Sequence, residues 1–296
     1  MKKKKKGFII AVSLALAAAL AFLTLFAIFN LRNPVIIVAE QFFIDIYGEK
    51  RLKKEVFNTS MTLFRPVKIA LIDNKAGEDV VPYSVSGISS NPYCVLFPRR
   101  FLNAARLYKE LFPNVDIVIL EGQLPITGDT SGFFVYRTDI ESDYYKAAAA
   151  AANIAATVSN EEIKGKIVVF MPNNSYREVI TKGITEQELP VETLFYATYS
   201  DISKTPGLAC VVLAGLGGEI LDKIPEIPVI TFSWLDPSMM TNNVILVIDD
   251  SPLAQAVQAV KMAKAAEEEG FIKSKFIIID RKIFNNSLLQ IIRKIE

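Results

Sequence analysis

The segment FFVYRTDIESDYYKAAAAAANIAATVSNEEIKGKIVVF, residues 133–170, decides the predicted fold. It begins with an apolar run typical of a strand, and residues 144–158 then have the composition of an alanine-rich helix. A β-branched run at 167–171 indicates a second strand. The six consecutive alanines at 147–152 carry small side chains, so we expect the helix to pack closely against a sheet. A strand, a helix and a strand in this order predict a βαβ unit with parallel strands.

The same alternation continues in both directions along the chain. Runs typical of strands occur at 34–38, 67–72, 94–97, 116–120, 191–196, 209–213, 229–232, 244–248 and 276–279. Predicted helices occupy 42–56, 101–112, 175–188, 219–223, 252–269 and 287–295. Residues 74–92 are rich in Gly, Pro, Ser and Asn and are predicted to form a loop. About ten strands are more than one open sheet of this size usually carries, which favours two lobes.

The N-terminus has the pattern of a membrane anchor. Lys2 to Lys6 precede an uncharged apolar run of 22 residues, Phe8 to Phe29. At about 1.5 Å per residue, such a helix is long enough to cross a hydrocarbon layer of roughly 30 Å. The lysines predict that the N-terminus stays in the cytoplasm and that the rest of the chain lies outside it. The alternative is a cleaved signal peptide, because Ala19-Leu20-Ala21 has the small-x-small form.

Composition excludes several classes of function. The chain has no histidine, so neither a Ser-His-Asp nor a Cys-His pair can exist, and we predict no enzyme and no cofactor. The net charge is +1, and without the five N-terminal lysines the remainder is slightly acidic, which argues against nucleic acid as a partner. Cys94 and Cys210 lie in short apolar runs and are predicted to be buried thiols.

Some motifs allow both a structural and a chemical interpretation. Gly215-Leu216-Gly217-Gly218 follows a predicted strand, but it matches neither the dinucleotide fingerprint nor a phosphate-binding loop, so a tight turn is favoured. Asp249 and Asp250 could form a carboxylate pair with Asp236. Asp250-Ser251-Pro252 also fits a helix N-cap, and we favour that interpretation.

Two further residues are candidates for ligand contact. Trp234 is the only tryptophan and follows a predicted strand, where it serves either as a stacking platform or as hinge packing. Arg177 begins a predicted helix. A cation is unfavourable at a helix N-terminus, so we expect its side chain to reach a carboxylate or a ligand.

The order of elements resembles the type 1 periplasmic binding proteins and the effector-binding domains of LacI-type regulators. The resemblance rests on Tyr136-Arg137-Thr138-Asp139 with the helix and strand after it, on Ile227 to Phe232, and on Val247-Ile248-Asp249-Asp250 before Pro252. It covers nearly all of residues 34–283 and implies an α/β chain with two Rossmann-like lobes. Their parallel sheets would be joined by three hinge strands, with a ligand bound between the lobes.

The resemblance also implies how the chain divides into domains. The predicted cytoplasmic lysines and transmembrane helix occupy 1–32, and two lobes follow. Lobe 1 would comprise 34–136 plus 249–275, and lobe 2 would comprise 137–248 plus 276–296. Asp139, Asp236 and Asp250 would be polar cleft residues. Three further ligand contacts are predicted. Phe42 follows the first strand, where the family often places a ligand-facing aromatic residue, and Arg177 lies near the position of the family's ligand-binding arginine. The third is Trp234, for the reason given above.

The resulting functional prediction is a membrane-anchored, extracytoplasmic solute-binding protein. It would bind a small polar ligand such as a sugar or nucleoside, and its partner would be an ABC-type permease. The alternative is a tethered sensor or scaffold of the same fold that acts on a membrane partner. The DNA-binding headpiece of the regulators is missing from the pattern, so we do not expect transcriptional regulation.

Overall fold

The computed structural model describes residues 2–41, 44, 48–73, 75–121, 129–159, 164–171, 176–196, 205–214, 221, 227–232, 243–249 and 251–279, without the side chains of residues 2–15, 22, 275 and 278. The described strands form two sheets of six strands each. The strands are β1 Val35–Glu40, β2 Val67–Ile72, β3 Cys94–Pro98, β4 Asp116–Leu120, β5 Phe134–Thr138, β6 Gly165–Phe170, β7 Val191–Tyr196, β8 Leu208–Leu213, β9 Val229–Phe232, β10 Val244–Asp249, β11 Glu269–Ile272 and β12 Lys275–Ile278.

Seven α-helices accompany these strands within the described part of the chain. They are α1 Lys2–Leu31, α2 Glu49–Leu63, α3 Val81–Ile88, α4 Leu102–Leu111, α5 Ile140–Ala156, α6 Arg177–Thr185 and α7 Pro252–Lys264. Two short 3₁₀ turns, Glu78–Val80 and Arg99–Phe101, precede α3 and α4.

Sheet 1 has the strand order β11-β5-β4-β3-β1-β2, and all of its strands are parallel. Helices α3 and α4 pack on one face of sheet 1, and α2 and α7 pack on the other. In β1, Ile36 and Val38 face the first pair of helices, whereas Val35 and Ile37 face the second pair. Burial on both faces explains why this strand is an unbroken β-branched run. We call sheet 1 with these four helices lobe 1.

Sheet 2 has the order β12-β10-β9-β8-β6-β7 and is parallel except for β12, which pairs antiparallel with β10. Helix α5 packs on this sheet, and five of its six consecutive alanines belong to the core there. Helix α6 approaches α5 closely at Gly183, where an added Cβ would lie only 2.5 Å from the carbonyl oxygen of Tyr145. We call sheet 2 with α5 and α6 lobe 2. The α/β architecture with two parallel-dominated sheets confirms the predicted fold class.

The structure does not support the predicted transmembrane anchor at 8–29. Among the residues that the structure describes, no helix combines the length and the apolar composition that crossing a membrane requires.

Some predicted elements and boundaries were wrong. The predicted loop at 74–92 contains α3, whose start is favoured by Pro82 in its first turn and whose Val81 and Val85 are buried. The predicted helix 252–269 ends at Lys264, since Ala266 adopts a left-handed φ of 58° after it. The residues that follow form β11, so Gly270, which would be the C-cap of a helix ending at 269, lies in an edge strand instead.

Candidate functional site

Within the described residues, the chain passes between the two sheets three times, after β5, β10 and β11. The first crossing leaves the carboxyl end of β5 in sheet 1 and enters α5, which packs on sheet 2. The second leaves the carboxyl end of β10 in sheet 2 and enters α7, which packs on sheet 1. The carboxyl edges of both sheets therefore meet at the crossings. Open α/β sheets bind ligands at this edge, which makes it the candidate site.

Hydrogen bonds tie the crossings to one another. The backbone N–H of Asp139, in the first crossing, donates to the carbonyl of Ile272 in the third at 3.2 Å. The Gln255 side chain, in the first turns of α7, donates to the hydroxyl of Thr138 at 2.6 Å, and both groups are buried. The three connections therefore form one joined hinge rather than three independent linkers.

Charged side chains lie at the carboxyl edge of sheet 1. Glu40, at the end of β1, forms an ion pair with Arg100, which follows β3. Glu121, which follows β4, is buried and forms an ion pair with Arg137 near the end of β5. In both pairs the carboxylate is the more buried partner and the arginine is about half exposed. Lobe 1 thus presents fixed guanidinium groups, which are suited to donate hydrogen bonds to a polar ligand.

A further ion pair connects the two lobes. Arg51 on α2 contacts Asp249 at the end of β10 with an N–O distance of 3.4 Å. The Asp249 side chain is only 2% exposed, and its Oδ1 also accepts from the backbone N–H of Ser251 at 3.2 Å. The pair fixes a carboxylate at the second crossing and joins lobe 1 to the strand that leaves lobe 2.

Aromatic side chains lie at the carboxyl edge of sheet 2. The ring of Tyr144, in the first turns of α5, lies 4.7 Å from the ring of Tyr176 and 5.1 Å from the ring of Phe232. The Tyr144 hydroxyl donates to the carbonyl of Ala214, just beyond β8, at 3.2 Å. Tyr176 is only partly buried. Tyr144 and Phe232 are buried, so Tyr176 is the ring of this group that offers a ligand a face for stacking.

One buried carboxyl group joins the first and third crossings. The hydroxyl of Ser274, between β11 and β12, donates a short hydrogen bond to Oδ2 of Asp143 in α5. Burial raises the pKa of Asp143 to about 6, while the Ser274 hydrogen bond opposes the rise. The negative charge of Asp139 adds to the rise, and Lys146 acts against it.

Of the predicted ligand contacts, the structure describes Asp139 and Arg177. Asp139 lies at the first crossing, where its carboxylate accepts from the N–H of Ser142 at 3.2 Å and caps α5. Arg177 lies at the start of α6, and its guanidinium carbon is 4.6 Å from the centre of the Phe195 ring. The side chain thus finds an aromatic partner in β7, and ligand contact by either residue stays a prediction.

The other predicted contacts, Phe42, Trp234, Asp236 and Asp250, lie outside the described residues, as does the glycine-rich turn at 215–218. Both cysteines are buried and free, Cys94 in sheet 1 and Cys210 in sheet 2. Among the described residues, no group of three or more Cys, Asp or Glu side chains could hold a metal ion.

Comparison with solved structures identifies the architecture. A transcriptional activator of the comK gene from Bacillus halodurans matches with a TM-score of 0.58 at 11% identity, over 89% of this chain and 95% of that one. An ABC transporter solute-binding protein from Conexibacter woesei DSM 14684 matches with a TM-score of 0.56 at 11% identity, over 88% and 94%. A periplasmic solute-binding protein from Actinobacillus succinogenes 130z with bound D-allose matches with a TM-score of 0.52 at 11% identity, over 83% and 98%.

The chain has the type 1 periplasmic-binding-protein fold. The predicted resemblance is therefore confirmed at the level of fold. No family model and no curated protein sequence matches the chain.

Within the type 1 binding-protein fold, the charged pairs at the edge of lobe 1 were not predicted from the sequence. Glu40 ends the first buried strand and Arg100 follows the third, so both positions were available from the strand pattern. A charged residue directly after a buried parallel strand is the signal that would have found them. The contact of Arg51 with Asp249 joins residues 198 positions apart, and no local pattern predicts it.

Proposed function

We propose that this chain is a solute-binding protein that captures a small polar molecule between its two lobes. The observation that carries the proposal is the pairing of the two carboxyl edges across a joined hinge. One edge presents arginines held by carboxylates, and the other presents the partly exposed ring of Tyr176, which packs on the buried ring of Tyr144. Charged groups can hydrogen-bond the hydroxyls or carbonyls of a ligand while the Tyr176 ring stacks on its apolar face.

Sugars and nucleosides are the ligand classes that suit this combination, and a matched solute-binding structure holds D-allose. The finer proposal is that the protein acts outside the cytoplasm and delivers its ligand to an ABC-type permease. In that role the lobes would close on the ligand about the hinge. Ligand contact by Asp139 is part of this proposal. So are the predicted lobe limits 34–136 plus 249–275 and 137–248 plus 276–296, which for the described strands differ from the division by sheets only at residues 137–138, 249 and 275.

The test is a thermal-shift screen of the full chain against sugars, nucleosides, amino acids and small carboxylates. A ligand at about 100 times its Kd stabilises the fold by about 2.7 kcal/mol, which raises the Tm by a few degrees. The shift should disappear in Arg100→Met, because this arginine lies at the edge of lobe 1. It should persist in Lys182→Met, which removes an exposed cation in the last turn of α6. Absence of a shift with every compound would contradict solute binding.

A sensor that reports ligand binding to another protein is the second candidate. It is favoured by the match to a structure described as a transcriptional activator, which shows that this fold also serves outside transport. The two candidates differ in the ligand-bound state. A carrier should release its ligand to permease-containing vesicles and permit ligand uptake, whereas a sensor should bind its partner without any uptake.

A further inference from the structure

An apolar groove lies away from the crossings, between the C-terminal half of α1 and helix α2. It has a volume of about 770 Å³ and runs over the start of the edge strand β2. Phe29 and Phe64 close one end, with ring centres 6.0 Å apart. The Arg32 guanidinium lies 4.6 Å from the centre of the Phe64 ring and donates to the backbone carbonyl of Phe64 at 3.3 Å. These contacts attach the end of α1 to the end of α2.

The groove is continuous with a large exposed apolar surface. On α2, Phe57 is 63% exposed and Met61 is 52% exposed. On α1, the exposed apolar residues are Leu16, Leu20, Leu23, Leu25, Phe26, Ile28 and Leu31. Monomeric soluble proteins rarely leave so much contiguous apolar surface in water, so this surface indicates a contact with something apolar.

The charges around the groove select the kind of partner. Two lysines, Lys53 and Lys68, are among the fourteen residues that line it, and none of the fourteen is acidic. Lys53 also pairs with the exposed Glu49, one turn earlier in α2, at 2.6 Å. A second copy of the chain docked by two-fold symmetry would bring the same lysines towards each other, which is unfavourable. An anionic lipid surface supplies acyl chains for the groove and phosphates for the lysines, so it satisfies both features.

We propose that the groove between α1 and α2 binds an anionic phospholipid surface, with acyl chains against Phe57 and Met61 and phosphates at Lys53 and Lys68. This contact is independent of the proposed ligand cleft. It would hold lobe 1 against a bilayer by a face that the cleft does not use.

The test places a bimane fluorophore on the full-length chain at Met61→Cys. Because Cys94 and Cys210 are buried, the label goes to the introduced thiol. Vesicles of phosphatidylcholine with about one quarter phosphatidylglycerol carry a nitroxide on the lipid chain, near the headgroup. We expect strong quenching at position 61. We expect none for the same label at Phe271→Cys, since Phe271 is 63% exposed but lies at the far edge of sheet 1.

Variants separate the groove from the rest of α1. Phe57→Glu should weaken quenching at position 61 and lower affinity for these vesicles about tenfold, whereas Phe271→Glu should leave both unchanged. Lys53→Gln with Lys68→Gln should lower the affinity by roughly tenfold, with no effect on binding to pure phosphatidylcholine. Vesicle binding without quenching at position 61 overturns the proposal. So does a dimer in analytical ultracentrifugation that Phe57→Glu converts to monomer, since that result assigns the groove to a second copy.

Discussion

The substitution Asp143→Asn should make the protein more stable at neutral pH. In the folded state, burial raises the pKa of Asp143 from its ordinary 3.8 to about 6, so folding favours the protonated form. The stability that this group contributes is therefore complete below about pH 4, is lost as the pH rises towards 6, and is constant at higher pH. At about 1.36 kcal/mol per pKa unit, the loss is about 3 kcal/mol. Asparagine stays neutral at every pH and can still accept the hydrogen bond from Ser274.

The assay is urea unfolding of the native chain and of Asp143→Asn between about pH 4 and pH 8. The two proteins should have similar unfolding free energies near pH 4, and the variant should be about 2–3 kcal/mol more stable at pH 7. The chain has no histidine, so few other groups titrate between about pH 5.5 and 8. Asp116→Asn removes an exposed carboxylate and serves as the control. A stability difference for Asp143→Asn that stays constant or shrinks as the pH rises would refute the reasoning.

Two further predictions concern packing. Gly183→Ala should destabilise lobe 2 by about 1–3 kcal/mol, because the new Cβ would lie 2.5 Å from the Tyr145 carbonyl oxygen. In α3, the Cβ of Gly87→Ala would meet nothing within 4 Å, so this control variant should stabilise the protein by up to about 1 kcal/mol. Chemical denaturation compares the two. Burial raises the pKa of Cys94 to about 12 and also raises that of Cys210, so both thiols should react with a disulfide reagent at pH 8 only at the rate of unfolding. Fast labelling of the native protein would contradict the described burial.

The sequence predicted those parts of the fold in which both strand faces are buried. Runs such as Val35 to Val38 and Cys210 to Leu213 are apolar at every position because both faces of these strands are buried, and their composition alone identifies them. The strand β11 could not be predicted in this way. It has four residues, contains Gly270, and lies at a sheet edge with Phe271 exposed, so its pairing with β5 leaves no pattern in the sequence.

The candidate site was less predictable than the fold, for a physical reason. Asp139 could be identified because it follows a strand and begins a helix, which are both local features. The contacts that join the crossings are between distant residues, such as Gln255 with Thr138 and Ser274 with Asp143, at separations of 117 and 131 positions. A polar residue in a helix, such as Gln255, carries no sequence mark that distinguishes a buried hinge contact from a solvated surface position.

The chemistry of the two carboxyl edges differs, and this difference bears on how a ligand would be held. At the edge of lobe 1, Arg100 is fixed by a carboxylate, so its donors are oriented before any ligand arrives. At the edge of lobe 2, the buried Tyr144 is held by its hydroxyl bond to Ala214, and the partly exposed Tyr176 ring packs on it at 4.7 Å and is oriented as well. A ligand bound between them would direct its polar groups to lobe 1 and an apolar face to lobe 2. Because each edge supplies only half of these contacts, tight binding would require both edges at once, and closure about the joined hinge would follow from ligand binding.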